Sequence, residues 1–197
     1  FGYYEKAAHQ GHVGSRYNTG INYRDGRGCE QSYERAAKWF EKAARQGNAD
    51  AQCALGTAYQ HGQGVPQSYE RAVELYKQSA AQGSHPASHR NLAIMYEYVN
   101  GVTQNYKEAR RLYALASAQG DTDATERLKE LDERIRTECP LLGKRVVITG
   151  TSREDLNGKV GVATDFDHAK GRYVVAWGGK GEKSQVMKIK PGNLQSA

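Results

Sequence analysis

The sequence predicts a mostly α chain, a helix-turn-helix solenoid (an α/α superhelix) followed by a small all-β barrel. Three observations carry this reading. Gln67–Gly83, QSYERAVELYKQSAAQG, occurs almost verbatim at Gln31–Gly47 as QSYERAAKWFEKAARQG, and more loosely at Gln104–Gly120 as QNYKEARRLYALASAQG. The closing glycines Gly11, Gly47, Gly83 and Gly120 lie 36, 36 and 37 residues apart, and fixed periods of that size mean stacked structural repeats. From Leu141 onward the pattern changes to short β-branched runs separated by turn clusters.

Each full repeat reads as two helices, A and B. In the middle copy helix A covers roughly Asp50–His61 and helix B roughly Gln67–Gln82. Ala51, Leu55 and Tyr59, with Ala58 beside them, form one apolar stripe at helical period. Gly56 lets a neighbouring helix approach closely. Gly62-Gln63-Gly64 ends helix A, because glycine accepts the left-handed C-cap conformation. Pro66 cannot continue that helix, and Ser68 caps the next. Tyr69, Ala72, Leu75, Tyr76 and Ala80 then supply the packing face of helix B. The first repeat places Gly20, Tyr23, Gly26 and Gly28 at the corresponding positions, with Thr19 in place of Leu55. The third has Leu92, Ala93, Tyr96 and Gly101, with Val99 where a glycine stood and one extra residue near Pro86. The opening FGYYEKAAHQG matches the second half of a repeat, so further residues are expected upstream.

This framework is similar to the Sel-1-like repeat, a relative of the tetratricopeptide repeat. The likeness is clearest in Leu55-Gly56, Tyr59, Gly62-Gln63-Gly64-Val65, Ala72, Tyr76, Ala80 and Gly83, and it covers about 1–139. The resemblance implies an all-helical superhelix that serves as a non-catalytic adaptor or scaffold for protein complexes. Cysteine-rich members carry a disulfide in each repeat, and that pattern is missing here. After Gly120, Asp123 and Glu126 read as a capping box. Ala124, Leu128, Leu131 and Ile135 form one narrow stripe on an otherwise charged helix, as suits the cap of a solenoid, and Cys139-Pro140 ends it.

The remaining 140–197 forms the second domain. KRVVITG, GKVGVATDF, GRYVVAW and SQVMKIK are strand-like runs, and Asn157-Gly158, Asp167–Gly171 and Gly178–Lys183 are the turns between them. Leu156-Asn157-Gly158, Gly161, Arg172-Tyr173-Val174-Val175 and Lys190-Pro191-Gly192-Asn193-Leu194 resemble an SH3-like barrel module of five strands.

Composition narrows the function classes. The chain is 38% hydrophobic and 25% charged, the balance of an ordinary globular protein. No apolar run approaches the roughly 20 residues needed to span a bilayer. Cys29, Cys53 and Cys139 form no CxxC pair, so a reducing compartment, the cytoplasm or an organelle interior, is expected; a single Cys29–Cys53 bridge stays open. The formal charge is +6, divided as +1 over 1–139 and +5 over 140–197. That basic excess invites an acidic partner or nucleic acid at the barrel, through Arg145, Lys159, Lys170, Arg172, Lys180, Lys183 and Lys188, with Trp177 beside them.

Catalytic, cofactor and metal readings all fail on the residues. KRVVITGTSRE looks like the first strand and glycine loop of a dehydrogenase, but Glu154 and Leu156 stand where further glycines are needed, and no Tyr-x-x-x-Lys occurs. The glycine pairs of the repeats are turns. Gly178-Gly179-Lys180-Gly181 reads as a hairpin tip. His85 and His89 are separated by Pro86 with no acidic or thiol partner nearby. Phe166, Tyr173 and Trp177 suit either a core or an aromatic cage, and a barrel this small needs large side chains inside.

Binding is therefore expected on the solenoid. The first helix of each pair lines the concave side of tetratricopeptide-like stacks, and a helical wheel puts Cys53, Thr57 and Gln60 opposite the stripe of Ala51, Leu55 and Tyr59. The aligned residues are Tyr17, Ile21 and Arg24 in the first repeat and Arg90, Ile94 and Glu97 in the third. Tyr17, Ile21 and Ile94 are apolar where polar residues belong, which suits an extended peptide or partner helix. Two other functions fit the same sequence: nucleic-acid binding through the barrel, and an architectural subunit of a large assembly.

Overall fold

A computed structural model describes residues 2–83, 85–98, 100–167, 170–178 and 185–197. Val99, Lys180, Lys183 and most of the Gly178–Lys183 turn lie outside the described residues. The chain divides into two compact units, Phe1–Leu128 and Lys129–Ala197.

The first unit is built from antiparallel helix pairs. α1 (Gly2–His9) precedes the A helices α2 (Val13–Asp25), α4 (Ala49–His61) and α6 (Pro86–Tyr98); the B helices are α3 (Tyr33–Ala44), α5 (Tyr69–Ala80) and α7 (Tyr106–Ala118). α8 (Thr122–Glu138) follows. Each B helix starts at a side-chain cap: Ser32, Ser68 and Asn105 accept the backbone N–H of Arg35, Arg71 and Glu108. Such a cap contributes about 1 kcal/mol. A glutamine just before each cap returns to helix A. Gln31, Gln67 and Gln104 donate to the carbonyls of Arg24, Gln60 and Glu97 at 2.7, 2.8 and 2.9 Å. The A helices are capped by different chemistry at one aligned position, Asn48 for α4 and the His85 imidazole for α6.

Two kinds of close approach hold the stack. Within a repeat, an aromatic ring of helix B lies flat against a glycine of helix A. A Cβ on Gly56 would stand 2.8 Å from the Tyr76 ring, and one on Gly20 2.6 Å from Phe40. Between repeats, the turn after helix A meets the start of the preceding helix B. A Cβ on Gly101 would be 2.6 Å from the Tyr69 carbonyl carbon, and one on Gly64 would overlap Tyr33 backbone. Gly64 has φ +72°, so no Cβ is tolerated there on either count. Glutamines repeat the same link, Gln46 donating to the Gly11 carbonyl and Gln82 to that of Gly47. Trp39, Phe40, Tyr23, Leu55 and a set of alanines fill the core between the first two full repeats. Thr19, fully buried where Leu55 and Leu92 stand in the later copies, has a hydroxyl without a hydrogen-bond partner.

The third repeat is tied to α8 by charge. Arg90 donates to Asp121 at 2.6 Å and lies 3.3 Å from Asp123, while Asp121 also accepts the Ala124 N–H that begins the helix. Burial alone would raise the Asp121 pKa. The Arg90 hydrogen bond, the Ala124 N–H and the Arg90 charge outweigh it, and the carboxyl lies below its ordinary value of 3.8.

The second unit is an antiparallel sheet of β1 (Arg145–Ile148), β2 (Val160–Asp167), β3 (Arg172–Trp177), β4 (Gln185–Ile189) and β5 (Leu194–Ser196), in the order β4-β3-β2-β1-β5. The five expected strands are present, but the sheet is open rather than closed into a barrel. β4 pairs only with β3, and the three-residue β5 only with β1, so both remain edges. Val146, Ile148, Ala163, Tyr173, Val175, Ile189 and Leu194 form its core, together with Leu156 and Cys139; Ile135 and Trp177 pack at the margin. Cys29, Cys53 and Cys139 are free thiols. No described helix is long and apolar enough to cross a membrane.

Three outcomes test this packing. Gly64→Ala should cost about 3 kcal/mol, because it adds overpacking to left-handed strain. Gly62→Ala, with φ +67° but 3.4 Å of clearance to Gln67, should cost only about 1 kcal/mol. Equal losses in chemical denaturation would contradict the inter-repeat contact. Thr19→Val should stabilise the chain by about 1 kcal/mol, since an unsatisfied buried hydroxyl is replaced by a methyl group. Because the folded Asp121 pKa is depressed, its contribution is complete above the unfolded value and is lost as pH falls through the folded one. The stability gap between the chain and Asp121→Asn should hold above about pH 5 and shrink below about pH 4; a gap independent of pH would contradict the Arg90 tie.

Candidate functional site

Burial along the A helices defines the accessible surface of the solenoid. In α4, Ala51, Gln52, Cys53, Leu55, Gly56 and Ala58 are buried. That is far wider than one stripe, because an A helix packs both against its own B helix and against the B helix of the preceding repeat. The accessible residues include a strip at helical spacing: Gly14, Asn18, Ile21 and Asp25 in α2; Asp50, Ala54, Thr57 and His61 in α4; Ala87, Asn91, Ile94 and Tyr98 in α6; Tyr17, Arg24, Gln60 and Arg90 are half-buried beside it. The wheel expected one face of Cys53, Thr57 and Gln60 with their aligned residues. The strip passes one residue on from Tyr17, Cys53 and Arg90, at Asn18, Ala54 and Asn91, and Ile21, Thr57 and Ile94 are common to both.

The nine expected residues therefore divide. Ile21, Thr57 and Ile94 lie half-buried on the strip. Tyr17 packs its ring on Phe40 at 5.9 Å, and burial, reinforced by Asp50, raises its hydroxyl pKa. Arg24 is bound through two nitrogens to Asp25 at 2.7 and 3.2 Å, and this hydrogen bond holds Asp25 below its ordinary pKa. Cys53 and Glu97 are not surface residues, at 6% and 3% exposure. Cys53 receives the Asn91 amide at 3.9 Å, and burial pushes its thiol pKa up. Glu97 accepts the Tyr113 hydroxyl at 2.7 Å. Gln60 accepts the Tyr76 hydroxyl at 2.7 Å, which also bonds Thr57 at 3.2 Å. Burial raises both tyrosine pKa values, so these hydroxyls stay donors. Arg90 is engaged by Asp121.

A pattern across aligned positions explains the polar burial. Where helix B carries Tyr76 or Tyr113, helix A supplies an acceptor, Gln60 or Glu97. Where helix B carries Phe40, which has no hydroxyl, helix A carries Arg24, and that side chain turns to Asp25 instead. The covarying pair is visible in the sequence once the repeats are aligned. Between the first two full repeats Arg24, Tyr33, Phe40, Ala54, Thr57 and Gln63 line a small open recess together with the small residues Ala36, Ala37 and Ala58.

One constellation has catalytic residue types. His85 Nε2 is 3.2 Å from Asp50, and its Nδ1 is 3.0 Å from the Ser88 hydroxyl. Ser88 is fully buried, its oxygen is 2.6 Å from that of Ser79, and its own N–H also bonds His85 Nδ1. The arrangement caps α6 and joins two repeats; no substrate reaches the serine. Among the described residues no group of three potential metal ligands converges.

The basic residues of the sheet are divided unequally, Arg145, Arg172 and Lys188 on the face opposite the core and Lys159 toward Trp177. Arg172 and Lys188 project from the face opposite the core, whereas Trp177 alternates to the core side, with Lys159 5.8 Å from its ring. Lys170 is exposed in the turn after β2. Tyr173 is 2% exposed, and its hydroxyl accepts the Leu141 N–H, so the aromatics build core rather than a cage.

Comparison with known proteins agrees with this architecture. The Sel1 repeat model matches residues 1–12, 14–48, 49–84 and 86–121. Among solved structures, c5321, a protective antigen present in uropathogenic Escherichia coli strains and displaying an SLR fold, is 32% identical at a TM-score of 0.65; the match covers 67% of this chain and 28% of that one. A Sel1 repeat protein from Oxalobacter formigenes is 33% identical at a TM-score of 0.57, covering 60% of this chain and 49% of that one. Helicobacter pylori cysteine rich protein B, 18% identical at a TM-score of 0.50 and covering 63% and 88%, shares the fold. The chain thus spans about a quarter and a half of the lengths of the first two. No curated protein matches it. With four matched segments that follow the helix pairs of the first unit, the chain belongs to the Sel1 repeat family.

Proposed function

We propose that the chain is a non-catalytic adaptor that holds a protein partner along the accessible strip of its A helices, with the C-terminal sheet, read as an SH3-like module, serving as a second docking element. Sel1 repeat proteins generally mediate protein–protein interaction. The observation that carries the reading here is the contrast between buried and accessible positions. The buried ones repeat, as Gly20 and Gly56 or Tyr76 and Tyr113 do. Two accessible positions differ in all three copies, Gly14, Asp50, Ala87 and Asp25, His61, Tyr98; at two others the middle copy alone departs, Ala54 between Asn18 and Asn91 and Thr57 between Ile21 and Ile94. Packing demands sameness, and recognition of one extended partner demands difference at successive places. Tyr98, 45% exposed, and the isoleucines supply apolar contact, while the exposed Asn18 amide can pair with peptide backbone.

The test is affinity for partners identified by purification of the complete protein and mass spectrometry. Ile94→Ser with Tyr98→Ala should weaken capture by about ten-fold or more, while the helical circular-dichroism signal stays intact. A substitution on the far side of the same unit, Gln78→Ala, should leave affinity unchanged. Equal behaviour of the two variants would refute the strip.

A further inference from the structure

The outward face of the C-terminal sheet departs from the usual alternation, in which a solvated face is polar. Val146, Ala163, Tyr173, Val175 and Ile189 point to the core, so their strand neighbours point away. Six of those on the outward face are aliphatic: Val147, Val160, Val162, Val174, Ala176 and Val186. The register sets Val160 opposite Val147, Val162 opposite Ala176 and Ala176 opposite Val186, giving one continuous patch across four strands. Val186 is 59% exposed, Val160 43% and Val162 40%; they are three of the seven large hydrophobic residues exposed among those described.

Cations border the patch on the same face. Arg145 stands opposite Val162 on β1, and Arg172 and Lys188 lie beyond Val174 at the other end, near the turn that carries Lys170. Lys188 is bound to Asp167 at 2.7 Å. Arg145, Lys170 and Arg172 hold no ion pair among the described residues. The face thus has an apolar centre with positive charge on both sides, Arg145 at one and Arg172, Lys188 and Lys170 at the other, where Asp165 and Asp167 also stand.

We propose that this face docks an acidic amphipathic helix of a partner protein, whose apolar stripe covers Val160, Val162, Ala176 and Val186 and whose flanking carboxylates meet Arg145 and Arg172. Charge complementarity selects this occupant. A nucleic-acid backbone would carry its phosphates across the valines and lose their hydration without compensation. Among the described residues no aromatic ring stands on the face to stack a base. Bilayer surfaces are entered by Trp, Phe and Leu, and among the described residues none of these stands on the face. An amphipathic helix meets both features in place, apolar against apolar in the middle and carboxylate against guanidinium at the margins. The surface belongs to the second unit and stands whether or not the strip on the A helices binds a partner.

Fluorescence anisotropy with the complete chain tests the proposal. The probe is a labelled synthetic helix of about five turns, with leucines on one stripe and glutamates on both flanks; a second probe carries lysine in place of each glutamate. The acidic helix should bind at least about ten-fold more tightly than the basic one, and its binding should weaken as salt rises from about 50 to about 500 mM. Val162→Thr with Val186→Thr keeps the β-branched shape, so it should leave the melting curve unchanged and reduce binding about ten-fold. Arg172→Glu should abolish the preference for the acidic probe. The proposal is overturned if neither helix binds, if both bind alike, if the threonine variant binds as the parent does, or if a single-stranded RNA or phosphatidylserine vesicles bind in preference to the acidic helix.

Discussion

The solenoid depends on how closely one repeat's backbone can approach the next. Gly64 against Tyr33 and Gly101 against Tyr69 bring a left-handed turn within van der Waals reach of the preceding helix terminus. No side chain larger than hydrogen fits there. That contact sets the spacing of the stack. The glutamine links from Gln46 to Gly11 and from Gln82 to Gly47 span the same interval at the other end of helix B. Once the spacing is fixed, every A helix is compressed between two B helices, and most of its circumference is buried. The accessible strip is narrow for this reason.

Periodicity revealed much of this in advance. A repeated 17-residue stretch that carries helix B, capping serines and glycine turns are local chemistry, so their positions read directly from the residues. The strip was displaced by one residue because a wheel drawn on a single stripe assumes one packing partner, whereas α4 has two. Cys53 and Glu97 were expected in solvent on the same assumption. The burial of Glu97 depends on a hydroxyl brought from helix B, Tyr113, and becomes legible only when helix A and helix B positions are aligned together across repeats. Gly62 and Gly64 looked equivalent as turn residues; only the neighbouring repeat distinguishes them. The open sheet was also beyond local reading, since closure depends on strand length and pairing at the edges, and β5 is three residues long.

Function follows the same division of labour. Positions that contact another repeat are constrained to be alike, which is why Gln31–Gly47 and Gln67–Gly83 nearly coincide. Accessible positions on the A helices are less constrained, and Gly14, Asp50, Ala87 and Asp25, His61, Tyr98 differ in all three copies. The sheet shows the complementary case. Its core valines are explained by packing, while its outward valines are not, and their company of unpaired arginines marks them as a surface with a use. Charge alone was a partial guide, because Arg145, Arg172 and Lys188 share the outward face while Lys159 lies against Trp177.

The claim that inter-repeat backbone contact holds the stack together is tested most directly by amide hydrogen exchange on Gly101→Ala. The substitution adds one methyl group to a turn. If the contact with Tyr69 couples neighbouring repeats, protection should fall along both α5 and α6, on either side of the altered junction, while α2 and α3 keep theirs. Loss confined to the turn around Gly101 itself, with α5 and α6 exchanging as in the parent chain, would contradict the account.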